Sequence, residues 1–140
     1  MTFNQMFCLD TNIVISTINR RPAHIRARLE AELASGVVVG IPAIVLFEMR
    51  YGAAKSDRRE RSEAALDAFL SLAVTPWPFE PDDAAHAGEI RARLEAVGTP
   101  IGHYDYLIAA QARSRNATLV TLNWREFERV PGLIVENWAA

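Results

Sequence analysis

Three carboxylates have neighbours that make chemistry at them worth asking about. Asp10 closes the apolar run Met6-Phe7-Cys8-Leu9, so it lies where a buried strand gives way to a loop or helix. In open parallel sheets ligands bind at such strand ends; the plain alternative is an aspartate that only caps the next helix. Glu48 interrupts Ile44-Val45-Leu46-Phe47-Glu48-Met49, and helical spacing sets it beside Ile44, Val45 and Tyr51 on a face that should be at least half buried. A carboxylate there needs a partner, and a buried ion pair with Arg50 or an arginine of another helix would serve as well as a ligand. Asp105 falls in Ile101-Gly102-His103-Tyr104-Asp105-Tyr106-Leu107-Ile108-Ala109-Ala110, at the start of an apolar helix whose dipole favours an acid whatever its function.

An alternating strand and helix order can carry a strand end, a helix face and a helix start to one end of a sheet. Carboxylates that converge raise one another's pKa unless a cation lies among them. Oxygen donors suit magnesium or manganese, and the chain offers no Cys-His set for zinc. On a phosphodiester, a metal so held activates water, offsets phosphate charge and orients in-line attack, which is nuclease chemistry. His24 and His86 lie in helical patterns away from the acids, whereas His103, two residues before Asp105, could touch substrate or act as an acid near neutral pH. The lone cysteine, Cys8, sits inside a buried strand and reads as a small hydrophobe. There is no Gly-x-Ser-x-Gly elbow, phosphate-binding glycine loop or Asp-x-Asp-x-Thr pattern, so acyl transfer, kinase and phosphoaspartate chemistry lose support.

The elements that must position these acids are legible in outline. Met6–Leu9, Val37–Ile41, Thr118–Leu122 and the weaker Leu133–Val135 read as strands, with Ala73-Val74 as an edge strand that Pro76 and Pro78 should break. Helical patterns run over Ile25–Ala34, Pro42–Ala54, Arg58–Leu72, Asp83–Val97 and Tyr104–Arg115, with apolar stripes such as Leu66, Phe69, Leu70 and Ile90, Leu94, Val97. Asp57 with Glu60, and Asn123 with Glu126, have the spacing of capping boxes. The alternation predicts an α/β fold with a mostly parallel sheet of about four to five strands flanked by helices.

With 140 residues, half of them apolar, the chain is read as one domain over 1–140. The longest apolar stretch, Ile41 to Phe47, is far short of the roughly 20 residues that span a membrane. Met1-Thr2-Phe3-Asn4-Gln5 lacks a basic leader region, so a cytoplasmic location is expected. The net charge of −2 neither supports nor excludes RNA, but fourteen of the fifteen basic residues are arginine, clustered at Arg20-Arg21, Arg58-Arg59-Arg61 and Arg113-Arg115. Arginine suits phosphate or carboxylate contacts, and for any one cluster a solvated, salt-bridged helix face is the commoner outcome.

Taken together, the order and spacing of Leu9-Asp10-Thr11-Asn12, Phe47-Glu48-Met49-Arg50-Tyr51-Gly52-Ala53, Ile90-Arg91-Ala92-Arg93-Leu94, Ile101-Gly102 to Ala110, Arg125 to Leu133 and Glu136-Asn137-Trp138 are highly specific. Over nearly its whole length the chain resembles PIN-domain ribonucleases, and more narrowly the VapC toxins of bacterial toxin–antitoxin pairs. The resemblance implies that Asp10, Glu48 and Asp105 are metal-site acids for Mg²⁺ or Mn²⁺. It also implies an RNA substrate, often a tRNA, whose cleavage would inhibit translation, a homodimer, and a VapB-type antitoxin whose C-terminal segment lies across the active-site groove. Many PIN domains carry a fourth acid after the late strand, where this chain has Asn123; Asn can ligate through its amide oxygen without adding charge, and Glu126 is a substitute acid. Thr11 and Thr121 are candidates to hydrogen-bond a ligand, water or phosphate. The competing readings are an RNA- or protein-binding module with a degenerate site, and a metal-dependent hydrolase of DNA or small phosphates.

Overall fold

The computed structural model describes residues 5–139, so the reading of Met1 to Asn4 lies outside the described residues. Five strands, β1 (Met6–Leu9), β2 (Val38–Pro42), β3 (Thr75–Trp77), β4 (Thr118–Val120) and β5 (Ile134–Glu136), form one sheet in the order β3-β2-β1-β4-β5. All four pairings are parallel. The helices are α1 (Thr11–Asn19), α2 (Ala23–Ala34), α3 (Ala43–Ala54), α4 (Arg59–Leu70), α5 (Pro81–Ala96), α6 (His103–Arg113) and the short α7 (Trp124–Phe127). They supply the crossovers that parallel strands require.

β1 is the central strand, and helices on both faces of the sheet explain why Phe7, Cys8 and Leu9 form an unbroken buried run rather than an alternating one. The chain lays β2 and β3 to one side of β1, then returns to lay β4 and β5 on the other. The strand order thus reverses between β1 and β4, and their carboxyl ends diverge into a crevice. Leu9 pairs with Val120 there, and the Asp10 amide donates to the Val120 carbonyl at 3.0 Å, so the two exits leave the sheet side by side.

Some local expectations shift for identifiable reasons. The edge strand is Thr75–Trp77 and runs through Pro76, because an edge strand has one side with no ladder to donate to. Gly40 of β2 faces Trp77 so closely that a Cβ would meet the indole at 2.1 Å, so only glycine lets that ring lie against the strand. Asp57 does not cap α4: Arg58 occupies the cap position without a side-chain bond, and Ser56 Oγ takes the Arg58 amide instead. A capping box does form at α5, between Glu80 and Asp83. β4 ends at Val120, short of the expected Leu122; Thr121 still gives its amide to the Glu136 carbonyl and turns its hydroxyl to Asp10.

The third arginine cluster is used internally. Arg115 pairs with buried Asp83 at 2.6 Å and stacks on Trp77, while Arg113 reaches Glu89, His86 and the Pro131 carbonyl. Gln111, fully buried, donates to the carbonyls of Trp77 and Pro78, so these contacts hold α5 and α6 to the end of β3. At the other end of the sheet Trp138 packs edge-on against Phe7 with ring centroids 5.3 Å apart, and His24 bonds its carbonyl. No helix among the described residues is long and apolar enough to cross a membrane.

Candidate functional site

Asp10 leaves β1 at the crevice and is 5% exposed. Its Oδ1 accepts the Thr11 amide at 2.8 Å, capping α1, and its Oδ2 accepts the Thr121 hydroxyl at 2.8 Å. Capping and a second use therefore coexist, since each oxygen has further lone pairs. Burial pushes the Asp10 carboxyl above its ordinary range, opposed by the Thr121 and Thr11 donors and reinforced by the charges of Glu48 and Glu126.

Glu48 projects from α3 toward the same crevice. Its Oε1 accepts the Thr11 hydroxyl at 2.8 Å, so Thr11 links two carboxylates, by its amide to Asp10 and by its hydroxyl to Glu48. The buried ion pair that could have accounted for Glu48 does not form: Arg50 turns outward to Asp67 at 3.0 Å.

Asp105 lies in the first turn of α6. Ahead of that turn, the buried Tyr106 hydroxyl accepts the Ile101 amide at 3.1 Å and pins the loop. A Cβ on Gly102 would lie 2.8 Å from Asp105 Oδ2, so glycine gives this carboxylate the room to turn back over the helix start. The Asp105 pKa is raised to about 6, by burial first, then by the charges of Asp10, Glu126 and Glu48, with the Gly102 backbone partly offsetting them. His103, the first residue of α6, is exposed.

Asn123 and Glu126 take up a different relation from the one their spacing suggested. Asn123 occupies the cap position of α7 without a side-chain cap. Its amide nitrogen instead donates to Glu126 Oε2 at 2.6 Å, and its backbone amide donates to Thr121 Oγ1 at 2.9 Å. Thr121 thus relays between Asp10 and the α7 start, and the charge of Glu126, like that of Glu48, bears on both Asp10 and Asp105. Asn12, whose Oδ1 accepts the Leu122 amide at 3.3 Å, ties the start of α1 to the same segment. Sequence reasoning missed Gly102 and Tyr106; the Ile-Gly pair ahead of a helical acid was the only signal for them.

The result is four carboxylates, on β1's exit, α3, α6 and α7, around the switch-point crevice, of which Asp10 and Asp105 are pushed up by burial first and then by the charges of the other acids. As the side chains stand, no three His, Cys, Asp or Glu among the described residues are gathered tightly enough to hold a metal ion. Thr11 restrains Glu48 and Asn123 restrains Glu126. In chemistry the donors fit a hard divalent cation: they are oxygens only, and the negative charge of Asp10, Glu126 and Glu48 that adds to burial in lifting Asp105 is what such a cation would offset.

The PIN domain family profile matches residues 7–133, which include all four acids. This chain is a PIN-domain protein of the VapC ribonuclease family. It is 43% identical over 132 residues to the tRNA(fMet)-specific endonuclease VapC of Salmonella typhimurium, covering 94% of this chain and 97% of that one. Ribonuclease VapC2 of Rickettsia felis is 43% identical over 133 residues, covering 95% and 98%. Among solved structures, VapBC2 from Rickettsia felis, bound to a DNA fragment from its promoter, superposes with a TM-score of 0.89 at 40% identity, covering 96% of this chain and 99% of that chain. DNA-bound VapBC from Salmonella typhimurium gives 0.88 at 42%, covering 96% and 99%. A VapC-family chain is a nuclease by kind.

Proposed function

We propose that this protein is a metal-dependent endoribonuclease that cuts tRNA, with Asp10, Glu48 and Asp105 as the acids that hold Mg²⁺ or Mn²⁺ and Glu126 completing the set. The observation that carries the reading is the cluster itself. Perturbed carboxyls concentrate at functional sites, and here Asp10 and Asp105 are both raised, by burial first and then by neighbouring acids. The similarity to an endonuclease named for tRNA(fMet) supports initiator tRNA as the first substrate to try.

The cation, when bound, supplies charge stabilisation to the phosphate and acidity to the attacking water. The protein's own part is positional. Thr121 and the Thr11 amide fix both oxygens of Asp10. The Thr11 hydroxyl aims Glu48, Tyr106 and Gly102 set the helix start that carries Asp105, and Asn123 orients Glu126. These bonds restrain the acids in the crevice, and drawing them in around a cation is the side-chain movement that remains.

The protein also acts as the toxin of a pair, in this reading, blocking translation until a VapB-type antitoxin neutralises it; its similarity to chains solved as VapBC complexes supports that partner. It works as a homodimer in the cytoplasm. Light scattering of the purified chain tests the dimer, and co-purification with the protein of an adjacent antitoxin gene tests the partner.

The deciding experiment incubates partner-free protein with a tRNA pool in Mn²⁺, Mg²⁺ or EDTA, beside Asp10→Asn prepared identically. Discrete fragments that need metal and vanish in the variant are expected. Cleavage that survives Asp10→Asn would refute the assignment; binding of tRNA without turnover in either metal would make the protein a binding module.

A further inference from the structure

A groove of about 910 Å³ leads away from the crevice, beginning at Thr11, Glu48 and Tyr104 and ending at Lys55, Arg58 and Arg61. Two features of it are unused by the chemistry described above. The first is an aromatic pair at its mouth: Phe47, next to Glu48, meets Tyr104, next to Asp105, edge to face with ring centroids 5.5 Å apart. Both rings stay about half exposed, at 48% and 50%, although they are large and apolar. The second is charge. Among the described residues Lys55, Arg58 and Arg61 form no ion pair, although most other arginines in the helices do. Lys55 lies over the Tyr51 ring at 5.0 Å.

Polarity therefore changes along the groove, from acids at one end, through exposed rings, to unpaired cations at the other. Glu48 and Lys55 are separated along α3 by roughly 10 Å of helix rise, a span of a few nucleotide steps at most. A single strand of nucleic acid has the matching chemistry, with bases that stack on aromatic faces and phosphates that seek arginine and lysine. A purely apolar partner segment would leave the cations unanswered, and a second copy of this chain would have to bury them.

Resting on the ribonuclease reading, we propose that this groove is the track for the single-stranded RNA flanking the cut, with one base stacked on the Phe47–Tyr104 pair and the adjoining phosphates held by Arg58 and Arg61. The aromatic pair then acts as a positioning device: it decides which phosphodiester lies over Asp10 and Asp105. Stacking tolerates any base, so the pair sets register and prefers purines by their larger faces, while sequence choice falls to other contacts.

The test uses the full-length chain, partner-free, in three forms: wild type, Phe47→Leu/Tyr104→Leu and Arg58→Gln/Arg61→Gln. All four positions are exposed, so the melting temperature should stay within about two degrees of wild type. The probes are initiator tRNA for cleavage and, in an Asp10→Asn background, a fluorescein-labelled single-stranded RNA for binding. The leucine pair should raise KM and the binding constant about tenfold or more, and scatter the cut over neighbouring bonds. The glutamine pair should lower the slope of log K against log salt by about 1.4, from two phosphate contacts at ~0.7 each on single strands. Wild type that cleaves, with both variants unchanged in KM, cut position and salt slope, overturns the track while leaving the nuclease intact. Wild type that fails to cleave in either metal instead removes the ribonuclease reading on which the track rests. Variants that keep KM and salt slope but lose dimerisation or inhibition by the antitoxin would make the groove a protein interface and also overturn it.

Discussion

Removing a charge from the crevice should make the protein more stable, not less. Asp105 is the sharpest case, because its carboxyl titrates near 6 in the fold against an ordinary 3.8. Between those values the native state binds more protons at this group than the unfolded chain does, so stability falls as pH rises and the loss is complete above pH 6. About two pH units correspond to roughly 3 kcal/mol. The side chain is only partly buried, and screening by solvent reduces this to about 1–2 kcal/mol. Asp105→Asn keeps the shape and one acceptor oxygen while abolishing the charge. In EDTA at pH 7.5 the variant should melt about 3–8 °C above wild type, and at about pH 3, below the ordinary 3.8, the two should converge, because Asp105 is then largely protonated in both the folded and the unfolded wild type. Calorimetry or dye-monitored melting in matched buffers measures both differences. Millimolar Mn²⁺ should raise the wild-type melting temperature and do much less for the variant. A variant that melts at or below wild type at pH 7.5, or a difference that is the same at both pH values, would refute the claim that the buried, crowded charge of Asp105 costs the fold stability.

Three further outcomes follow from the contacts. Thr121→Val removes the hydroxyl that serves Asp10 and the Asn123 amide; the acid limb of the kcat/KM profile should move to higher pH as the Asp10 carboxyl rises further, with about 1.5–3 kcal/mol lost in urea unfolding. Tyr106→Phe orphans the Ile101 amide; it should cost about 1–2 kcal/mol and lower kcat more than it changes RNA affinity, because the loop that sets Asp105 loosens. Asp83→Asn breaks an ion pair that none of the four crevice acids shares. Burial alone would raise the Asp83 carboxyl, but Ser114, the Glu80 amide and Arg115 hold it below its ordinary range. Its stabilisation is therefore present above pH 3.8 and lost as pH falls through the lower native value. The variant should lose about 3 kcal/mol at pH 7, and that deficit should shrink in acid, while tRNA cleavage per folded molecule stays at the wild-type level.

Much of the fold was readable because the signals were local. An apolar run closed by Asp10, a β-branched run after Ser35-Gly36 and the stripe Ile90, Leu94, Val97 each report on a few consecutive residues, and burial follows for Ile90 and Leu94, whereas Val97, past the last turn of α5, is left 56% exposed. Where several local solutions compete, the reading slipped. Ser56 supplanted Asp57 at the start of α4, and Pro76 entered a strand because that strand happens to be an edge. Neither outcome is encoded in the few residues around it.

The acids divide along the same line. Asp10, Glu48 and Asp105 could be singled out from sequence because each carboxylate interrupts or ends an apolar segment, and an unexplained charge in such surroundings is visible without coordinates. That Thr11 would join Asp10 to Glu48, that Glu126 rather than the Asn123 side chain would press its charge on the other acids, and that Gly102 would make room for Asp105 were decided only by tertiary structure. These relations span 37 to 111 positions of chain where they are hydrogen bonds between acids and threonines. Electrostatic repulsion and hydrogen bonding act through space over a few ångströms, so they are fixed by where the strand order reverses, and a one-dimensional pattern carries that only after the sheet has been assembled.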